Sequence, residues 1–142
     1  MDFITRHKAG ILLQGEHKEI CAQGLFYTIN NLALQHGSSL QGRLEAARYI
    51  LHITQNPPMY INEKVILITT HALRHPKCVV INVQNIYQWH TEADVIEITF
   101  ISGNSCEVPM SKSLFKKRLA QASALAVHIH HFSQKESVYT MV

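Results

Sequence analysis

A hairpin that leads directly into a helix start is the feature that most constrains how this chain folds. Residues 95–101 are predicted as a strand, with alternating apolar and polar side chains over 96–100; a turn follows at Ser102-Gly103-Asn104, and residues 105–108 form a second short strand. Alternation of period two around a small polar turn is typical of a β-hairpin. Pro109 cannot continue the strand ladder, and Ser111 is a favourable N-cap for a helix. The chain must therefore combine antiparallel strands with helices.

Two helices are predicted, over about residues 38–52 and 111–131. Both segments repeat apolar residues at the helical period, which indicates one buried stripe on each. Ser38 with Gln41 has the spacing of a capping box, and Pro57-Pro58 ends the first segment. The two stripes are Leu40, Leu44, Ala47 and Leu51, and then Phe115, Leu119, Ala122, Ala126 and Ile129.

Four further segments are predicted as strands, because they are rich in β-branched and aromatic residues. A turn at Gly15 separates the first two, Asn62-Glu63 forms a turn within the third, and the fourth is interpreted as a bulged strand. The fold class that follows is α+β, with a mostly antiparallel β-sheet and two main helices. The four segments are residues 9–14, 19–29, 59–70 and 78–90.

Length and composition predict a single domain that covers residues 1–142. No internal repeat, low-complexity tract or linker divides the chain. The net charge of +3 permits an anionic partner but is too small for histone-like or tail-driven nucleic-acid binding. No apolar run is long enough to cross a bilayer and no signal-peptide segment is visible, so we expect a cytoplasmic protein without membrane contact.

Residues with catalytic or metal-binding chemistry form no recognisable site. No nucleophile elbow or zinc-protease motif is present, and the three cysteines are too widely spaced for a zinc or disulfide framework. The histidines near the end of the final helix and the carboxylates of the hairpin suit solvated positions. We therefore predict no catalytic residue, no metal and no cofactor. The sequence contains no motif that supports an enzyme, but it does not exclude one. These groups are Cys21, Cys78 and Cys106; His128, His130 and His131; and Asp94, Glu97 and Glu107.

The first candidate binding site is the turn and helix start that ends at Arg43. Free N–H groups at a helix N-terminus bind anions, and glycine allows a ligand to approach the backbone closely. The candidate residues here are Ser38, Ser39, Gly42 and Arg43. At about 100° per residue, Arg48 lies on the opposite flank of the apolar stripe. It is either a further contact or a rim residue whose stem packs on the core.

The second candidate site is the start of the final helix, where Lys112, Lys116 and Lys117 oppose the helix dipole. A bound anion would reverse that penalty, and a merely solvated basic face is the alternative. The hairpin tip with Asn104 is a third candidate, because a small β-ribbon tip can enter a DNA groove. Any tight turn has the same composition, so the tip is equally consistent with a purely structural role.

An ordered set of motifs resembles the ComK family of competence transcription factors of Gram-positive bacteria. The set covers roughly residues 20–127, and Lys77, within its third motif, joins the candidate DNA contacts. The motifs are, in order, Gly37-Ser38-Ser39-x-x-Gly42-Arg43, Pro57-Pro58, Pro76-x-Cys78, Ile98-Thr99-Phe100-x-x-Gly103, Val108-Pro109-x-Ser111 and Phe115.

The resemblance implies a DNA-binding activator of late competence genes that recognises paired A/T-rich boxes, largely through the minor groove. It implies a cytoplasmic, nucleoid-associated homodimer that can assemble further on DNA, with no cofactor and no catalysis. It points first to Ser38, Ser39, Gly42 and Arg43.

The end of the chain departs from the family pattern. Members of the family continue past the final helix, and that extension contributes to activation and to capture by a proteolytic adaptor. No comparable motif is visible here, so the resemblance implies a short form that binds DNA. The alternative is a regulatory or protein-interaction module of the same fold that does not bind DNA.

Overall fold

The computed structural model describes residues 1–7 and 10–140. Within them lie nine strands and three helices, which confirms the α+β class with mostly antiparallel sheet. The helices are α1 (Leu25–Gln35), α2 (Leu40–Leu51) and α3 (Lys112–Thr140). The strands are β1 (Phe3–His7), β2 (Gly10–Gln14), β3 (Lys18–Cys21), β4 (Met59–Asn62), β5 (Val65–Thr69), β6 (Val80–Asn82), β7 (Ile86–Glu92), β8 (Val95–Phe100) and β9 (Ser105–Val108).

The strands form two antiparallel sheets. Six of them make the larger sheet in the order β3-β2-β1-β6-β5-β4, and the other three make a smaller sheet in the order β7-β8-β9. β1 lies near the middle of the larger sheet, where Phe3 pairs with Ile81 of β6. β4 is an edge strand, and its pairing with β5 is irregular between Tyr60 and Asn62. The side chain of Arg43, from α2, donates hydrogen bonds to this irregular edge.

The larger sheet is covered on both faces because successive strand residues alternate between two cores. Leu67 of β5 and Met59 of β4 pack with Ile29 of α1 in the core beneath α1 and α2. The neighbours Ile66 and Ile68 pack in a second core, which is shared with the smaller sheet and α3. β5 therefore needs apolar residues at almost every position, as a strand buried on both faces does. The domain has three layers.

The hairpin and the helix start that follows it are confirmed. β8 pairs with β9 as predicted, and the Ser111 Oγ accepts a hydrogen bond from the Leu114 N–H at 3.2 Å, which is the expected N-cap. Phe115 and Ala122 of α3 are buried against the smaller sheet, and the Phe115 ring meets Trp89 edge to face at 4.8 Å between centroids. The helix continues beyond residue 131, to Thr140.

The prediction of one strand over residues 19–29 is wrong beyond Cys21. β3 ends there, and α1 begins at Leu25 as a helix that was not predicted. The side chains of Phe26-Tyr27-Thr28 favour a strand locally. Leu25 and Ile29 are one helical turn apart and both fully buried, so packing against the sheet decides the outcome.

Two other strand predictions need correction. The segment 78–90 is not one bulged strand, because β6 belongs to the larger sheet and β7 to the smaller one, with a 3-10 turn at Val83–Asn85 between them. β1 was not predicted at all. The strand predicted over residues 9–14 corresponds to β2, and Ala9 lies outside the described residues. The turn at Asn62-Glu63 is confirmed between β4 and β5.

Arg43 of α2 joins α1 to the edge strand β4. Its Nη1 donates to the carbonyl oxygens of Tyr60 at 2.8 Å and Ile61 at 3.2 Å. Its Nη2 donates to those of Ala33 at 3.1 Å and His36 at 2.9 Å. The last carbonyls of a helix and those of an irregular edge strand lack regular partners. One planar guanidinium supplies both sets, and its charge also opposes the negative end of the α1 dipole.

Asp2 joins the smaller sheet to the larger one. Its buried carboxylate accepts hydrogen bonds from Ser102 Oγ at 2.7 Å, Asn104 Nδ2 at 2.9 Å and Asn85 Nδ2 at 3.1 Å. Burial acts to raise the pKa of Asp2, but hydrogen bonds from Ser102, Asn104 and Asn85 lower it, and the pKa ends below its usual value. The ionised form is therefore the one that the fold stabilises.

Arg43→Ala is expected to destabilise the domain strongly. The change removes the guanidinium from four carbonyl oxygens, of which that of Ala33 keeps the His36 N–H as a donor, and we expect the free energy of unfolding to fall by about 2–4 kcal/mol. Denaturant unfolding measures this loss. The control is Arg48→Ala, because Arg48 makes one hydrogen bond, from Nε to the Thr54 oxygen. Equal losses in the two variants would contradict the role assigned to Arg43.

Asp2→Asn is expected to lower stability at neutral pH and to remove part of its acid dependence. Because the folded pKa of Asp2 lies below 3.8, its contribution is present above that value and is lost as the pH falls through the folded pKa. We expect a loss of about 1–3 kcal/mol at neutral pH. Urea unfolding from about pH 7 to about pH 3 should show the two proteins converging. A difference that stays constant with pH would refute this.

Candidate nucleic-acid interface

A pocket of about 780 Å³ opens between the start of α1, the end of α2 and the loop that joins β5 to β6. Three arginines line it: Arg6 from β1, Arg48 from α2 and Arg74 from the loop. Phe26 and Tyr27 in the first turn of α1 also line it, and each is 49% exposed. The walls are otherwise largely apolar. The pocket therefore combines positive charge with accessible aromatic surface.

Hydrogen bonds fix the backbone of the β5–β6 loop (residues 70–79). The Thr70 N–H donates to the Val79 oxygen at 3.0 Å, and the Val79 N–H donates to Thr70 Oγ1 at 2.9 Å. Arg6 reaches the loop from β1, with Nη2 donating to the Leu73 oxygen at 2.8 Å and Nε to the His75 oxygen at 3.3 Å. The guanidinium of Arg6 is thus used to hold the loop, which then presents its own side chains from a defined position.

The β5–β6 loop carries two stacked histidines and two permanent charges. The His71 and His75 rings lie 4.3 Å apart between centroids, at 18°. Burial lowers the pKa of His71 from its usual value, and the charges of His75 and Lys77 lower it further. His71 is therefore held neutral near pH 7. The permanent positive charges of the loop are those of Arg74 and Lys77.

Arg48, Arg74 and Lys77 keep charged groups available to a ligand. The Nε of Arg48 donates to the Thr54 oxygen at 3.0 Å, so its terminal nitrogens stay free. Arg74 and Lys77 are exposed, and within residues 1–7 and 10–140 their side chains have no hydrogen bond or ion pair. These three side chains, Arg48, Arg74 and Lys77, form a cluster of positive charge that we call the basic rim.

The start of α3 adjoins the same pocket. Arg118 Nη1 donates to the oxygen of Asn56, a residue that lines the pocket, at 2.8 Å. At about 100° per residue, Lys117 lies on the flank of α3 that carries Arg118, whereas Lys112 lies on the opposite flank, across the buried stripe of Phe115. Of the three lysines, only Lys117 shares the flank of Arg118. Lys116 projects from the outer side of the helix, so the three predicted lysines do not share one contact surface.

The residues of the first candidate site lie at the other end of the helix pair. Ser38, Gly42 and Arg43 line a groove of about 290 Å³ together with Leu125 and Ile129 of α3. The start of α2 thus meets the later part of α3, while the chain after α2 meets Arg118. The length of α2 separates the two places by about 18 Å. The structure does not bring the two predicted sites together.

Within the first candidate site, the serine that caps α2 is Ser39 and not Ser38. The N-cap of α2 is Ser39, whose Oγ accepts a hydrogen bond from the Gly42 N–H at 3.1 Å. The predicted capping box of Ser38 with Gln41 is therefore wrong, and Ser38 is an exposed residue of the preceding turn. Ser39 uses its side chain within the helix start. Ser38 keeps a free hydroxyl at the surface.

Arg43 and Asn104, both predicted as DNA contacts, use their side chains in hydrogen bonds within the fold. All four hydrogen bonds of Arg43 described above would have to break before its guanidinium could reach a phosphate. Asn104 Nδ2 donates to Asp2 and to the Gly15 oxygen, at 2.9 and 2.7 Å. The hairpin tip is therefore fastened to the larger sheet, and it is not a projecting ribbon.

Metal-ligating side chains come together once within the described residues, on the outer face of the smaller sheet. His90, Glu92 and Glu97 place their ligand atoms within 4.8 Å of one another. His90 Nε2 already contacts Glu97 Oε2 at 3.1 Å, and His90 and Glu92 are exposed. Glu107 lies beside Glu97 on β9. This surface is an acidic face with a histidine–carboxylate pair, remote from the basic rim.

Arg6 and Arg74 belong to the site but were not predicted. The run 71–77 carries two histidines, an arginine and a lysine, and this density of positive groups beside Pro76 was the available signal for Arg74. Arg6 had no comparable signal, because it joins the loop only through the pairing of β1 with β6.

An exposed cluster of positive charges attracts anionic partners. The family model described as ComK protein matches residues 4–134. The chain therefore belongs to the ComK family, which is a family of competence transcription factors and not of enzymes. Searches of curated proteins and of solved structures find no significant match. Among the described residues, no helix is long and apolar enough to cross a membrane.

Asn104→Ala is expected to affect stability and not DNA affinity. Loss of its two donated hydrogen bonds should lower the free energy of unfolding by about 1–3 kcal/mol. Affinity for an A/T-rich duplex, measured by fluorescence anisotropy well below the melting temperature, should stay within about twofold of the wild type. Ser105→Ala, at the exposed neighbouring position, is the control. Unchanged stability with weaker duplex binding would restore the hairpin tip as a contact.

Proposed function

We propose that the chain is a DNA-binding regulator of competence genes that recognises paired A/T-rich boxes, mainly through the minor groove. The observation that carries this proposal is the basic rim, with Lys117 beside it, on a member of the ComK family. The rim residues come from α2 and from one hydrogen-bonded loop, so the backbone that carries them is positioned before any ligand arrives. Less freedom is then lost on binding than if the backbone also had to order.

Arg74 is the residue best placed to read an A/T-rich minor groove. Such grooves are narrow, carry an enhanced negative potential and attract inserted arginine. Arg74 projects from the β5–β6 loop, whose backbone is fixed by Arg6 and by the hydrogen bonds between Thr70 and Val79. A rigid loop can enter a narrow groove without an ordering cost. Readout of this kind needs few charges, which suits a net charge of +3.

Phosphate contacts would then come from the cations around Arg74. Lys77 lies three residues along the same loop, Arg48 faces the pocket from α2, and Lys117 lies on the near flank of α3. Contacts of this type position a protein on DNA and supply salt-dependent affinity, but little sequence preference. Lys112 and Lys116 lie farther round α3 and would contribute only if the duplex follows the helix.

Two boxes in one binding site are most simply occupied by two copies of the chain. We propose a cytoplasmic homodimer that assembles further on DNA near the nucleoid, with each copy placing one β5–β6 loop in one box. Ser38 and Gly42, toward the start of α2 and about 9 Å or more along the helix axis from Arg48, would then contact flanking backbone or a neighbouring copy.

Duplex binding tests the proposal directly. A labelled duplex with two A/T boxes and a G/C-rich duplex of equal length are titrated at about 0.15 M salt and at several other salt concentrations. We expect the box duplex to bind at least about tenfold more tightly. Arg74→Ala should abolish most of that preference, because it removes the groove contact while leaving the fold intact.

Matched lysine variants separate groove reading from phosphate contact. Lys117→Ala should weaken both duplexes and reduce the salt slope by about one, whereas Lys112→Ala, on the opposite flank of the same helix, should do neither. Equal affinity of the wild type for the two duplexes would refute specific recognition. No binding to either duplex would favour a protein-interaction module of the same fold.

A further inference from the structure

The floor of the pocket holds a buried hydroxyl group without a partner. Thr69, the last residue of β5, is 3% exposed and lines the pocket. Its Oγ1 has no hydrogen-bond partner within the described residues. A buried hydroxyl left unpaired is unfavourable by about 1–3 kcal/mol, so such groups in folded proteins usually meet a ligand or water. Thr69 therefore adds an unpaired polar group to the lining of the pocket.

The pocket mouth is positively charged. Arg48 and Arg74 line it with free terminal nitrogens, as described above. The first turn of α1 also faces the pocket, where its N-cap, Gly24, makes no side-chain hydrogen bond and no acidic residue follows in the first turn. Arginine side chains and free N–H groups together favour a phosphate or carboxylate at the mouth.

Between the mouth and the floor, the pocket offers surfaces for a flat apolar group. The half-exposed rings of Phe26 and Tyr27 form one part of the lining, and Leu44, Pro57 and Met59 form another. Aromatic side chains bind nucleobases by stacking, largely without regard to sequence. The volume of about 780 Å³ lies within the range of pockets that bind small organic molecules.

We propose that this pocket binds a nucleotide. Its phosphate lies with Arg48 and Arg74 at the mouth, its base packs against Phe26 and Tyr27, and a polar edge of the base or sugar pairs with the Thr69 hydroxyl. An acyl chain would leave that hydroxyl unpaired, and inorganic phosphate would leave the apolar lining in water. Nucleotide chemistry uses all three regions of the pocket.

Two kinds of nucleotide fit this chemistry: a free nucleotide, or a nucleotide extruded from a DNA strand. Binding of a free nucleotide does not require duplex binding, so this inference and the proposed function fail separately. If Arg48 and Arg74 serve both ligands, a free nucleotide competes with DNA. The pocket would then couple DNA occupancy to nucleotide concentration.

The test is isothermal titration calorimetry with adenosine monophosphate on the wild type, Thr69→Val and Thr99→Val. Thr69→Val keeps the side-chain shape and removes the orphaned hydroxyl, so its melting temperature should not fall. We expect its nucleotide affinity to fall by about fivefold or more, whereas Thr99→Val, on the smaller sheet, should match the wild type. Inorganic phosphate should bind at least about tenfold more weakly than the nucleotide.

A second arm identifies the source. A box duplex with 2-aminopurine at one position reports base extrusion as increased fluorescence on binding. An increase in the wild type that Thr69→Val reduces would assign the pocket to a DNA nucleotide, and calorimetric binding alone would assign it to a free one. No signal in either arm, equal binding by Thr69→Val and wild type, or phosphate binding as tight as the nucleotide would overturn the inference.

Discussion

The guanidinium of Arg43 joins two helices to the edge of the larger sheet. The larger sheet ends at β4, an irregular edge strand, and α1 ends without a basic residue in its last turn. Either feature alone would expose unpaired carbonyl groups. By satisfying both from α2, Arg43 fixes α1, α2 and β4 as one unit. The position of α2 in turn sets the direction of Arg48 and the mouth of the pocket.

Charge is divided across the molecule in a way that the small net charge conceals. The pocket is lined by Arg6, Arg48 and Arg74, while the outer face of the smaller sheet carries Glu92, Glu97 and Glu107. A polyanion approaching this domain is attracted on one side and repelled on the other. Orientation is therefore selected before contact, and few cations are enough because they are concentrated at one place.

The sequence predicted local structure well wherever local and tertiary preferences agree, as in the β8–β9 hairpin and the Ser111 cap. It failed where packing overrides propensity, as in α1, whose Phe26-Tyr27-Thr28 favours a strand. The candidate site was harder still. The sequence predicted Arg43 as a ligand contact and gave no sign of its hydrogen bonds within the fold. Its four acceptors lie in segments that are distant in sequence and that only the fold brings together. Arg6 meets the β5–β6 loop through a strand pairing that no local pattern encodes.

The central position of β1 bears on how the chain folds during synthesis. Phe3 pairs with Ile81, and Asp2 binds Ser102 and Asn104, so the first strand can pair with β2 at once but must wait for more than half the chain before its second neighbour, β6, exists. Contacts of such long sequence separation slow folding. Until β6 emerges from the ribosome, the β1–β3 meander exposes an unpaired edge and an apolar face, which are the features that chaperones bind and that promote aggregation.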